Sequence, residues 1–258
     1  MTDRHPARMT DGHPGHRQAP RPMEPEPRVY AAELLGTFVL VFVGTTSVVA
    51  SGRISAPVLL VAAFGFGLGL LGGLYAFGEV SGGHYNPAVS IAMFLDRRLN
   101  GRDLAAYLVA QFAGAVLASL ILLLATTQAD VASTATKPSS DGTAWVIEFV
   151  MTTIFVLVIL QATRSERFGP SALMAIPLTL VAVHLAAIPF SGSSVNPART
   201  FGPDLVGNTW TGIWIYFTAP PLGAALAWLI HSRVVAPAPE APTAPVAEVL
   251  GDDPEPAR

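Results

Sequence analysis

One eight-residue phrase occurs twice in this chain. Ser81-Gly82-Gly83-His84-Tyr85-Asn86-Pro87-Ala88 is matched by Ser191-Gly192-Ser193-Ser194-Val195-Asn196-Pro197-Ala198, so both copies read S-G-x-x-x-N-P-A. A second match lies upstream of each. Glu33-Leu34-Leu35-Gly36-Thr37 parallels Glu148-Phe149-Val150-Met151-Thr152, an E-x-x-x-T early in an apolar run. A duplicated phrase of this kind implies two structurally equivalent halves.

The apolar runs set the relation between the halves. Crossing a bilayer takes about 20 apolar residues, and runs of that length are predicted near 30–51, 57–77, 102–126, 143–163, 170–188 and 211–232. Each half therefore holds three spans. An odd number reverses the insertion direction of the second copy, which makes the halves inverted about an axis in the membrane plane. Two further apolar pieces, near 86–95 and 196–206, are too short to span, and each starts at Asn-Pro-Ala. Proline suits the first position of a helix, where its missing N–H would have no partner anyway. Gly-rich backbone at membrane depth is tolerated where it lines a cavity or is buried in protein. The short pieces are thus predicted to be re-entrant half-helices meeting near the midplane, with Asn86 facing Asn196. The expected fold class is an all-α membrane protein of six transmembrane helices plus two half-helices in an inverted repeat.

Composition agrees with a membrane class. The chain is 51% hydrophobic and 13% charged, against about twice that charged fraction in soluble domains. There is no cysteine, which excludes disulfides, thiol catalysis and thiolate metal sites. No basic cluster points to nucleic acid, and no nucleophile–base constellation or metal cluster appears within the spans, so neither an enzyme nor a metal or other cofactor is expected. Arg28, Arg97, Arg98, Arg102, Arg164, Arg167 and Arg233 fall on one side of the layout, and Arg53 and Lys137 on the other. The arginine-rich side marks the cytoplasm, so both termini are expected there, with the chain integral to the plasma (inner) membrane. Residues 1–28, with His5, His13, His16 and six prolines, lack the apolar core of a signal peptide. That stretch and 236–258 read as disordered tails flanking a channel domain over 29–235, with repeats near 30–126 and 143–232. Small residues recur every fourth position at Gly65, Gly69 and Gly73 and at Ala110, Gly114 and Ala118, the spacing that lets helix backbones approach in lipid.

The paired Asn86-Pro87-Ala88 and Asn196-Pro197-Ala198 boxes resemble those of the aquaporin family, also called the major intrinsic proteins. The resemblance covers roughly Tyr30 to Ser232. It implies passive, bidirectional conduction of water with no cofactor, a homotetramer with one pore per subunit, and membrane lipid as surroundings. It also implies a narrow filter of four positions, which counting from the boxes places at Phe66, His184, Ser193 and Arg199. A bulky Phe with a His resembles the water-selective members. Glycerol-conducting relatives carry a second aromatic and a Gly in the filter, Asp where this chain has Thr200, longer loops, and Pro where it has Tyr216; water-type members carry an aromatic pair there, commonly ending in Trp, from which Phe217 departs mildly. Asp204 matches no family role. Facilitation of glycerol or another small neutral solute is the alternative, and an ion channel is disfavoured because Glu33 and Glu148 repeat symmetrically, as scaffold features do. They are expected to be loop-anchoring acids that accept from N–H groups of the re-entrant segments, whose carbonyls at 82–85 and 192–195 would line one wall of the pore. His84 is expected either to line the inner mouth or to fill a turn.

A chain without a thiol should conduct water at an unchanged rate in mercurials. Ser193→Cys, at a position where several mercury-sensitive relatives carry Cys, should create inhibition that a reducing thiol reverses. A folded, conducting S193C protein that ignores mercury would place Ser193 away from the pore.

Overall fold

A computed structural model describes residues 26–164 and 169–235. Residues 1–25 of the expected 1–28 tail, the expected tail at 236–258, and Arg167, placed on the arginine-rich side, lie outside the described residues. Regular structure there is helical throughout: α1 (Pro27–Arg53), α2 (Val58–Ser81), α3 (Pro87–Leu95), α4 (Gly101–Ala125), α5 (Gln128–Ser133), α6 (Asp141–Arg164), α7 (Gly169–Ser191), α8 (Pro197–Gly207) and α9 (Ile213–Ile230). A π turn over His231–Val235 prolongs α9. Six of these helices are long and apolar enough to cross a membrane, matching the six expected spans. Large apolar residues such as Leu68, Val109, Leu124 and Leu222 stand exposed along them, as expected of surfaces that meet lipid rather than water. The short α3 and α8 are the two half-helices.

Two local outcomes differ from the sequence reading. Helix α1 starts at Pro27, with proline in its first turn, so the helix reaches two residues into the stretch expected as tail. A proline that needs no N–H partner begins the helix where hydropathy alone would start it later. The connection after α4 also contains the short helix α5, closed by a capping box in which Thr127 and Asp130 satisfy each other's backbone N–H groups. Its Val131 is fully buried against Val49 and Leu122.

The packing is a double clasp. Within each repeat the first span packs on the other two: α1 on α2 and α4, and α6 on α7 and α9. Each half-helix then crosses over, α3 lying on α9 of the second repeat and α8 on α4 of the first. Small residues permit these approaches. Gly69 and Gly73 of α2 sit over the Leu40 and Gly36 carbonyls of α1, where an added Cβ would stand 3.2 and 3.3 Å from those oxygens. Gly114 of α4 presses on the Leu34 carbonyl of α1, and Gly223 of α9 presses on the Phe149 carbonyl of α6. Leu34 and Phe149 each follow their repeat's glutamate, so one close contact occurs twice, once per repeat.

A side chain at either of these last two glycines must move helix backbone, and overpacking costs about 1–3 kcal/mol or more. Gly114→Val and Gly223→Val should each lower the thermal midpoint of the detergent-solubilised protein. Gly52→Ala, at a position with open space around it, should leave the midpoint unchanged. Equal midpoints for all three variants would refute the close-packing role.

Candidate functional site

Both copies of the repeated octet leave their spanning helix through a left-handed turn. Gly82 and Gly83 have φ of 85° and 66°, and Gly192 and Ser193 have φ of 75° and 49°. Tyr85 and Val195, just before each Asn, are also left-handed at 48° and 46°. A bulky or β-branched residue rarely adopts this region, and it costs roughly 1–3 kcal/mol unless the surroundings enforce it. The segments are therefore tightly turned rather than simply extended.

The two buried glutamates hold these turns. Oε1 of Glu33 accepts from Ser81 Oγ (2.7 Å) and the His84 backbone N–H (2.9 Å), while Oε2 accepts from the Tyr85 N–H (2.8 Å) and Gln111 Nε2 (2.7 Å). Oε1 of Glu148 accepts from Ser191 Oγ and the Ser194 N–H, and Oε2 from the Val195 N–H, each at 2.7 Å. Both residues are completely buried. An ion in such a place is costly unless most of its lone pairs are filled, and here three or four charge-assisted bonds fill them. Two tyrosines complete the clamp from the third span of each repeat: Tyr107 Oη donates to the Ser81 carbonyl (2.6 Å) and Tyr216 Oη to the Ser191 carbonyl (2.5 Å).

The half-helices begin at the asparagines. Asn86 Oδ1 caps α3 by accepting from the Ala88 N–H, and Asn196 Oδ1 caps α8 by accepting from the Ala198 and Arg199 N–H groups. Their amide nitrogens cross between repeats. Asn86 Nδ2 donates to the Val195 carbonyl (2.8 Å) and Asn196 Nδ2 to the Tyr85 carbonyl (2.9 Å). An amide NH₂ has two hydrogens, so each asparagine keeps one. The Tyr85 and Val195 carbonyls each accept one bond of this cross-brace and keep a second lone pair.

Between the loops lies a narrow cavity. Its lining includes Leu40, Leu70, Phe155 and Leu180 on one side and Asn86, Ser194, Val195 and Asn196 on the other. It has room for the centres of water-sized particles in only about 20 Å³, against the roughly 10–15 Å³ that one water requires. Phe66, His184 and Arg199 also line it. The Phe66 and His184 ring centroids are 5.1 Å apart, and the Arg199 guanidinium carbon is 4.4 Å from the Phe66 centroid. The structure thus brings three of the four expected filter residues together. Ser193 does not line this cavity, although it lies in the same loop. His184 Nε2, Ser193 Oγ and Arg199 Nε are all buried without a protein partner, which costs about 1–3 kcal/mol per group unless something polar meets them. Toward the other mouth the cavity shares Leu70, His84 and Phe155 with a vestibule of about 300 Å³. His84 thus lines this mouth and also fills its turn, its Nδ1 3.1 Å from Ser90 Oγ.

The family described as Major intrinsic protein matches residues 24–231. The chain belongs to the major intrinsic protein family. Among its relatives, Glycerol uptake facilitator protein-like 6 of Lactiplantibacillus plantarum is 37% identical over 208 residues, covering 78% of this chain and 94% of that one. Aquaporin Z of Rhodopseudomonas palustris is 36% identical over 226 residues, covering 81% and 94%. The structure of the aquaglyceroporin from Plasmodium falciparum superimposes with a TM-score of 0.75 at 22% identity, over 82% of this chain and 97% of the other, and so shares its fold. The protein is an integral membrane channel of this family, whose members are channels and not enzymes, and which carries water or small solutes.

Several residues of this major intrinsic protein site were invisible in the repeat alone. Gln111, at 0% exposure, donates both to Glu33 and to Ser90 Oγ (2.9 Å). Tyr107 lies well outside the octet, and the Thr134 carbonyl accepts from Arg199 Nη1 (3.3 Å). The E-x-x-x-T phrase marks the glutamate acceptors, and Tyr107 and Tyr216 each open a Y-x-x-A-x-x-x-G-A, but Gln111 has Pro220 at the corresponding place and so no counterpart.

Replacing Glu148 by Gln puts an NH₂ donor against backbone N–H groups and leaves some of them unpaired, at roughly 1–3 kcal/mol each. Glu148→Gln should therefore lower the thermal midpoint and cut flux per channel severalfold. Glu148→Gln with wild-type stability and flux would remove the anchoring role.

Proposed function

We propose that this channel conducts water and excludes glycerol, protons and ions. The observation that carries the reading is the convergence of Phe66, His184 and Arg199 on a cavity whose whole volume open to water-sized particles is about 20 Å³. Phe66 and His184 set its width, and Arg199 and His184 supply donors to a passing oxygen. Binding at such a point has to be favourable enough to admit water and weak enough to release it. The apolar wall of Leu40, Leu70, Phe155 and Leu180 limits how tightly water is held. Ser193 is assigned to the outer wall beside Arg199.

Proton exclusion follows from the half-helices. Each carries roughly half an elementary positive charge at its N-terminus, and Asn86-Pro87-Ala88 and Asn196-Pro197-Ala198 start α3 and α8 toward each other. The two fields add at the pore centre and oppose a cation. The remaining N–H of each asparagine donates to the central water and turns its hydrogens outward, which breaks proton relay. Arg199 adds a second positive barrier at the filter.

The reading extends to the assembly: a homotetramer in the plasma (inner) membrane, one pore per subunit, both termini cytoplasmic, and a channel domain bounded near 29–235. Glycerol conduction is the second reading, favoured by the name of the relative from Lactiplantibacillus plantarum. The small volume of the cavity that Phe66, His184 and Arg199 line supports water over it.

Proteoliposomes should show osmotic water permeability well above empty vesicles, glycerol uptake near background, and no dissipation of an imposed proton gradient. The Phe66→Ala/His184→Gly double variant should admit glycerol while still conducting water. Equal water and glycerol rates in the wild type would overturn the proposal, as would a double variant that stays glycerol-tight.

A further inference from the structure

The two re-entrant loops are secured differently beyond their glutamates. At the inner loop, Ser90 of α3 meets His84 Nδ1 and is held by Gln111, a side chain of the spanning helix α4. The equivalent positions of the outer loop are Ser194 and Thr200, whose hydroxyl oxygens are 2.5 Å apart. Their third partner comes from outside the membrane helices: Thr136, on the segment joining α5 to α6, stands 3.4 Å from Thr200 Oγ1.

One direction of donation satisfies the whole set. Ser194 Oγ donates to the Asn196 carbonyl (2.7 Å) and accepts from the Asn196 N–H (3.2 Å). With its hydrogen so used, Ser194 takes Thr200 as donor, and Thr200 in turn has an oxygen lone pair facing Thr136. All three hydroxyl residues are at most 3% exposed. The segment bearing Thr136 is itself fixed. Ser139 donates to the Phe190 carbonyl from both N–H (2.9 Å) and Oγ (2.8 Å). Gly192, left-handed at 75°, lies so close that an added Cβ would stand 2.7 Å from the Lys137 nitrogen and 3.0 Å from the Thr136 Cα. Two residues before Thr136, the Thr134 carbonyl accepts from Arg199.

We propose that the hydroxyl run Thr136–Thr200–Ser194 is a positioning element of the filter, through which the α5–α6 connection sets where the outer loop and Arg199 stand and hence how wide the channel opens. None of the three hydroxyls needs to touch the permeating molecule through its own oxygen. The run acts on Arg199 from two sides, through the first turn of α8 and through the Thr134 carbonyl. The inference rests on Phe66, His184 and Arg199 forming the filter.

The test is the glycerol-to-water permeability ratio of proteoliposomes, which does not depend on how much protein inserts. Thr200→Val keeps the shape and removes the hydroxyl. It should raise the ratio by roughly threefold or more, the low end of coupling between packed neighbours. Thr136→Val should shift it in the same direction by less, and the double variant should not exceed Thr200→Val, because both cut one run. Thr200→Ser and Thr136→Ser should restore the wild-type ratio. A purely structural role would lower both permeabilities together and leave the ratio fixed, and that result overturns the proposal. If Thr200→Val does not insert, Thr136→Val and its serine counterpart decide: an unchanged ratio refutes the run. A wild type that conducts glycerol as fast as water would defeat the water-selective reading, whereas the run is judged on the variants' change relative to wild type.

Discussion

Everything in this channel depends on two buried carboxylates. The re-entrant loops bring backbone N–H groups and left-handed residues to a depth where water is scarce, and neither feature is stable there without partners. Glu33 and Glu148 supply oxygens with enough lone pairs to accept two backbone N–H groups and a serine hydroxyl each. The exchange is mutual: the loops offset the cost of burying the charges, and the charges offset the strain in the loops. Once both turns are fixed, the asparagines can reach across the centre, and the cross-brace from Asn86 to Val195 and from Asn196 to Tyr85 locks the halves together.

The scaffold obeys the inverted repeat closely. Glutamate anchor, tyrosine clamp, glycine-on-carbonyl contact and asparagine cap all occur twice, in corresponding places. The constriction does not obey it. Phe66, His184 and Arg199 gather at one end, and His84 of the first loop corresponds to Ser194 of the second. Gln111 supports the first loop from a spanning helix, while Thr136 approaches the second loop from a connection. Symmetric parts carry the load common to both loops, and asymmetric parts differ from one loop to the other.

The spans were legible because lipid imposes a length and a hydropathy that a helix must meet by itself. The half-helices were legible because Asn-Pro-Ala is a local start signal, with proline free of an N–H and asparagine able to cap. The twofold relation was legible because the octet recurs after an odd number of spans. The α5 capping box and the start of α1 at Pro27 were local too, but their signals sit in short polar stretches that hydropathy passes over.

Sequence by itself thus determined the number of the spans, the place of both re-entrant turns and the inverted relation between halves, since each follows from local chemistry or from repetition. Tertiary structure alone decided which groups answer the glutamates, that Tyr107, Gln111 and Tyr216 serve the loops, that Tyr85 and Val195 carbonyls are taken by the cross-brace, and that the hydroxyls of Thr136, Thr200 and Ser194 meet. The reason is physical. A hydrogen bond between residues far apart in the chain leaves no periodicity or spacing in either segment; it exists only once both backbones have been placed within about 3 Å of each other.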